Sequence, residues 1–300
     1  MLCSKTSSSS RLAPIIFALL WSLLLGLSLG GCSAVRIGYG NAPSLLYWWI
    51  DGYVDFDEAQ SVKARDTLAA LHAWHRRQEL PAYIALLQSV QTMAPVNVTP
   101  EQACVHLEVA RDRLRALLAN AEPGMAALVP TVKPAQIEHI RRQFEKRNEG
   151  WREKWLDGSA QQRRERRINQ AVERYESFYG TLEERQLAVI RANVERSRFD
   201  PSLRYQETLR RQQETLQALR QLLAAPKAEA DAPAAVHEAI ERALRSPDPV
   251  MRARFEADWQ DNCRAIADLH NSTTPAQRRK ATQTLKNYED DLRALLVTAR

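Results

Sequence analysis

The chain has 300 residues, of which 26% are charged and 45% hydrophobic, and its formal net charge is +6. That balance excludes a disordered chain and describes a folded, soluble one. The length suits one large domain or one and a half ordinary ones.

Lys5 and Arg11 open the chain with positive charge, and an apolar run follows from Leu12 to Leu29. The run ends at Leu29-Gly30-Gly31-Cys32. A basic start, an apolar centre and small residues before a cut describe a secretory signal over residues 1–31. The small-small-Cys ending resembles the lipobox of bacterial lipoproteins. The resemblance implies removal of the signal, diacylation of the Cys32 thiol and acylation of the new terminus. The alternative is an uncleaved membrane helix, since about 20 apolar residues span a bilayer; it leaves the placement of Cys32 unexplained. Three acyl chains exceed the two signals that stable anchoring takes. Ser33 stands where an Asp commonly retains such proteins at the inner membrane, so the same resemblance implies the periplasmic side of the outer membrane. Removal of the signal takes Lys5 and Arg11 and no acid, leaving a net charge of +4. Residues 32–41 then carry the lipid and a short tether. Nine extended residues, Ser33–Asn41, reach about 30 Å, which keeps the body near the membrane surface.

Residues 42–223 are expected to form the main helical domain. Thr-Pro-x-Gln occurs twice, at Thr99–Gln102 and Thr274–Gln277. Threonine is a good N-cap, proline suits the first helical position, and glutamine three residues on closes a capping box. Asp57–Gln60 follows the same logic without the proline, and Lys133–Gln136 keeps the proline and glutamine without the cap. Apolar stripes at helical spacing follow: Cys104, Leu107, Leu114 and Leu118; Ile137, Ile140, Phe144, Trp151 and Trp155; Ile168, Val172, Tyr175 and Tyr179; Leu209, Leu216, Leu219 and Leu223. Two more lie nearer the C-terminus: Met251, Phe255, Trp259, Cys263 and Ile266, then Leu285, Tyr288, Leu292 and Leu295. No comparable run alternates with period two.

Breaks are expected at Pro81, Pro95, Pro123-Gly124, Asp157-Gly158, Phe199-Asp200-Pro201 and Ser246-Pro247. Residues 224–235, rich in alanine, proline and charge, read as a flexible connection. Residues 236–300 then pack back as a smaller part. The reading is an all-α body of about eight helices.

Trp48-Trp49, Asp51-x-Tyr53-Val54-Asp55, Trp74-His75-Arg76 and Glu79-Leu80-Pro81-x-Tyr83 form a set. With the lipobox, they resemble a family of uncharacterised Gram-negative lipoproteins known only as a domain of unknown function. The resemblance covers the whole mature chain and implies a lipid-anchored helical envelope protein, with no activity and no catalytic residues to carry over. The capping phrases also resemble the Leu-Thr-x-x-Gln motif of periplasmic stress chaperones, with Val98 and Thr273 in place of the leucine. Arg196-Ser197-Arg198-Phe199-Asp200 is similar to the R-x-x-F-D opening of a motif in membrane-anchored lipase foldases. There Pro201 replaces the tyrosine, and a helix end followed by a turn explains the residues as well.

Nucleophile elbows, phosphate loops, dinucleotide fingerprints and C-x-x-C pairs are absent. The sequence therefore reads as a non-enzymatic binding or scaffold protein without a cofactor, a periplasmic chaperone or foldase-like protein being the alternative. His72, His75 and Glu79 share one helix face and offer zinc or copper ligands, although a solvated charged face explains them too. Asp51, Asp55, Asp57 and Glu58 lack the glycine and distal glutamate of a calcium loop and suit helix capping better. Residues 141–167 carry ten Lys/Arg against five Asp/Glu. Arg141, Arg142, Lys146, Arg163, Arg164, Arg166 and Arg167 are candidates for binding envelope anions by summed charge, the alternative being a solvated helix face. The export signal argues against nucleic acid. The membrane, through Cys32, and anionic components or a protein of the envelope are the expected partners.

Four cysteines are present; Cys3 leaves with the signal and Cys32 takes the lipid. Cys104 and Cys263 remain, each on the apolar stripe of its own helix. They are a natural pair in an oxidising compartment, or else two independent buried thiols.

Overall fold

The computed structural model describes residues 31–225 and 227–297, with side chains from Ala34 onward. The signal expected over residues 1–31 therefore lies, apart from Gly31, outside the described residues. The regular structure of the described chain is α-helix, with one 3-10 turn at Val129–Thr131 and short loops between. Among the described residues there are eleven helices: α1 Gly31–Gly40, α2 Ala42–Val54, α3 Glu58–Met93, α4 Pro100–Leu128, α5 Pro134–Trp155 and α6 Ala160–Tyr179. They continue with α7 Glu184–Arg196, α8 Pro201–Ala224, α9 Ala228–Leu244, α10 Pro249–Ser272 and α11 Pro275–Val297. Among the described residues no helix is long and apolar enough to cross a membrane.

The count exceeds eight for identifiable reasons. Residues 32–41, read as a tether, form most of α1, which packs on α11. Of the stretch 224–235, read as flexible, all but the first residues belong to α9. Alanine is the best helix former, and Glu229 and Asp231 suit the positive N-terminal end. The small Ala232 lets α9 seat against α4 and α8 in a core of Ala126, Leu222, Val236 and Ile240. Two expected breaks are also missing. Pro81 lies inside α3 and Pro123 inside α4. A proline removes one ladder bond and crowds the preceding turn; here packing on both sides overrides it, with Glu79 and Leu80 fully enclosed. Gly124 serves close approach rather than a turn. A Cβ there would meet Thr67 Cγ2 at 2.1 Å, so only glycine lets α3 and α4 come this near.

α3 and α4 form the long antiparallel spine. α2 and α11 flank α3, and α9 and α10 flank α4. The loop between the two long helices is tied to the α10–α11 junction: the Val98 N–H donates to Asn271 Oδ1 at 2.9 Å, and the Asn271 amide donates back to the Val98 carbonyl at 2.9 Å. Cys104 and Cys263 are joined by a disulfide with Cα atoms 5.2 Å apart, which fixes α10 against α4. Two further small cores lie around Ile137, Ile140 and Leu216 and around Leu182, Ile190 and Leu269.

Six helices open alike. The backbone N–H of Asp57, Thr99, Lys133, Ser159, Glu183 and Thr274 each donates to the side-chain oxygen of a glutamine three residues on. The Asp57, Thr99, Ser159 and Thr274 side chains accept the glutamine N–H in return. Four of these glutamines are buried and meet in two pairs. Gln60 and Gln136 exchange bonds of 3.1 and 2.7 Å, and Gln277 reaches Gln186 at 3.5 Å. Each pair thus joins the starts of two helices distant in sequence. Thr99→Ala and Thr274→Ala are each expected to lower stability by about 1 kcal/mol, as loss of an N-cap acceptor does. Denaturant unfolding of the two variants is the check; unchanged midpoints in both would show that these threonines do not hold the helix starts.

Candidate anion-binding cleft

A cleft of about 370 Å³ opens where α6, α7, the start of α8 and the middle of α10 converge. Its position follows from local sequence. α7 stops at Arg196, and Asp200 caps α8 by accepting from the Ser202 and Leu203 N–H groups, with Pro201 at the first helical position. The four-residue corner swings Phe199 toward Trp155, with ring centroids 5.9 Å apart in an edge arrangement. α10 presents Phe255 and Trp259, one turn apart on a single face, to the opposite side.

The walls carry guanidinium groups laid on aromatic rings. Arg204 stacks over Phe255 at 3.9 Å and pairs with Asp258 at 3.2 Å. Arg167 stacks over Phe199 at 5.3 Å. Arg198 donates twice through its side chain and once through its backbone to Asp261, at 2.8–3.0 Å. The side-chain bonds from Arg198 hold the Asp261 carboxyl at about 2. Burial, by contrast, pulls Arg167 below the usual arginine range despite the field of Asp258 and Glu195. Arg174 completes the lining. Three guanidinium groups, Arg167, Arg174 and Arg204, thus line the cleft with two carboxylates, Asp258 and Asp261, and Arg204 Nε is buried without a hydrogen-bond partner. Stacked cations in a partly desolvated recess are suited to an anion with a flat or apolar body.

The candidate basic residues do not assemble as one patch. Arg167 lines this cleft, and Arg163, Arg164 and Arg167 with Trp155 line an adjoining depression. Arg164 is paired with Glu195 at 3.1 Å. Arg163 donates to the Leu156 and Gly158 carbonyls and Arg166 to that of Asp157. These two therefore satisfy carbonyls of the turn between α5 and α6, the C-cap carbonyl of Leu156 among them. Arg141 is held between Glu138 and Glu145. Arg142 and Lys146 lie on the exposed surface of α5, and all three are roughly 14–21 Å of helix rise from Trp155. Arg174, Arg198, Arg204, Asp258 and Asp261 were not legible as a site, because α10 meets α6 and α7 only through the tertiary fold.

The metal candidate is also redirected. The Tyr39 hydroxyl and His75 Nδ1 are 2.9 Å apart, and the Tyr39 ring lies 4.6 Å from that of His72. Glu79 faces Arg113 at 3.6 Å instead of the two imidazoles. His72, His75 and Glu79 share a helix face, but partners from α1 and α4 draw them into an aromatic and ionic contact. Among the described residues no three metal-ligating side chains are placed to hold an ion. Asp51 accepts from the Phe56 N–H and Asp57 caps α3, so these acids serve helix ends.

No curated protein and no solved structure matches the chain. A family match covers residues 52–227, from the last turn of α2 to the residue before α9. It is narrower than the expected span of residues 32–300, leaving out Trp48, Trp49 and α9–α11. The cleft straddles its edge, with Arg167, Phe199 and Arg204 inside and Asp258 and Trp259 outside. On this match, over more than half its length, the chain belongs to DUF6279, a family of unknown function.

Proposed function

We propose that this protein is a non-enzymatic binding protein of the Gram-negative envelope, anchored to the periplasmic side of the outer membrane through Cys32. Its cleft takes an anionic envelope component. The apolar run ending at Cys32 supports the anchor, and the bond between Cys104 and Cys263 suits an oxidising compartment. The observation that carries the binding role is the excess of ring-stacked guanidinium in a concave, partly buried site. Asp261 is held by Arg198 and Asp258 by Arg204, so Arg167 and Arg174 exceed the carboxylates of the cleft.

Calorimetric titration with inorganic pyrophosphate tests the cleft. Saturable binding is expected, weakening at least tenfold in Arg167→Ala and in Arg204→Ala and falling with added salt. Equal affinity in wild type and both variants would remove the cleft from the function. Mass spectrometry of the N-terminal peptide from membranes tests the anchor separately, by the mass of acyl chains on Cys32.

A further inference from the structure

We infer that α2 is an interfacial helix that lies in the headgroup region of an anionic phospholipid bilayer beside the lipid anchor. The inference deepens the anchored reading and rests on it for the orientation of the body. Leu45, Trp48 and Trp49 fall at i, i+3 and i+4 on α2 and are 60%, 73% and 57% exposed. Tyr47, on the opposite side of the same helix, is buried and donates to Ser61 at 2.9 Å. α2 therefore has an inner face fixed to α3 and an outer face that is apolar and uncovered. Exposed tryptophans of this density are costly in water, and an amphipathic ring of this kind is at home at the level of lipid headgroups.

The chain itself supplies the occupant. α1 begins at Gly31, so Cys32 sits in its first turn, and ten helical residues rise only about 15 Å. An extended tether would have allowed twice that distance. α1 packs on α11 and leads directly into α2, so an acylated Cys32 holds the outer face of α2 within the reach of a membrane surface. Ile37 on α1 is exposed as well and extends the apolar surface toward the anchor. Cations flank α2, beside exposed acids at Asp55, Glu58 and Asp66. Arg65 stacks on Tyr47 at 3.6 Å, and Arg147 donates to the Tyr53 hydroxyl at 2.9 Å. Of the nearby acids, Asp51 is turned back to cap its own helix end through the Phe56 N–H. Covalent lipid, apolar face and flanking cations would then act together, as interfacial helices do.

The test uses the whole mature chain, residues 32–300, with Cys32→Ser so that no acyl chain contributes; all described helices but one terminal glycine are retained. Co-sedimentation with vesicles of phosphatidylethanolamine and phosphatidylglycerol should show binding that rises with the phosphatidylglycerol fraction. Leu45→Glu with Trp48→Glu should weaken it at least tenfold, with the same helicity and thermal midpoint as the parent. Trp48→Phe, which keeps the ring, should retain most of it. No binding by the parent chain overturns the inference, as does binding that the double glutamate variant leaves unchanged. Sedimentation showing a dimer that the glutamates dissociate would also overturn it, assigning the face to a second copy. Acylation of the native chain is read independently, so loss of vesicle binding leaves the anchor standing, and absence of acyl mass leaves the interfacial helix standing.

Discussion

Replacing Cys104 and Cys263 together by alanine is expected to cost about 3–5 kcal/mol of stability. The bond joins residues 159 apart. Closing so long a loop removes much of the freedom of the unfolded chain; the chain-entropy account gives an upper figure near 5 kcal/mol, and measured values run lower. Cys263 is completely buried, so its sulfur also packs against α4 as a small hydrophobe. For a chain of this size the loss corresponds to a fall of roughly 10 °C in thermal midpoint. The same fall should follow from reducing the wild-type protein with dithiothreitol. A shift of less than about 2 °C by either route would mean that the two sulfurs are not bonded in the isolated protein.

Gln186→Ala is expected to cost about 3 kcal/mol, while Gln102→Ala, at the same position of its own helix, costs about 1 kcal/mol or less. The two glutamines make the same opening contact, accepting from the N–H three residues before at 2.7 and 2.8 Å. Their surroundings differ. Gln102 is exposed, so water replaces the lost amide. Gln186 is completely buried, and its amide also donates to the Ser272 carbonyl at 2.8 Å. Its removal leaves the carbonyl of the buried Ser272 unpaired, at about 1–3 kcal/mol for such a group, on top of the opening contact to the Glu183 N–H. Gln277 loses a neighbour as well, though it keeps its bond to the Thr181 carbonyl at 3.0 Å. Urea unfolding of both variants decides the matter. Equal costs would show that burial does not set the worth of these caps.

Four of the six glutamine-closed helix starts were legible because capping is local; those at Ser159 and Glu183 were passed over. Thr99 and Gln102 are three residues apart, and the chemistry joining them needs nothing from the rest of the chain. Helix interiors were less so. Pro81 and Pro123 obey a local rule against helix, and tertiary packing overrides it in both cases. The glycine at 124 looked like punctuation because its reason, Thr67, lies on another helix. The 228–235 segment has the composition of a linker and the propensity of a helix, and Ala232 is decided by the core it enters. The cleft was the least legible part. Phe255 and Trp259 read as one more apolar stripe, which they also are, and Arg167 read as one of seven similar cations. Only the crossing of α10 with α7 and α6 separates these residues from their neighbours. The contacts of His72, His75 and Glu79 were hidden for the same reason: their spacing shows a shared face, and Tyr39 and Arg113 arrive from elsewhere.

The link between Cys104 and Cys263 also sets a timetable. Chains are made from the N-terminus at about 5–20 residues per second, so the 159 residues between the two sulfurs take roughly 8–30 s to appear. During that interval α4 has been made but lacks its sulfur partner, the α9 side chains that cover Ala126, and the Asn271 amide that closes its leading loop. The Gln186 amide likewise waits for Ser272 and Gln277. A newborn chain of this protein therefore spends many seconds with its longest helices half covered, and whatever accompanies it through that interval must keep them apart from other chains until the last two helices arrive.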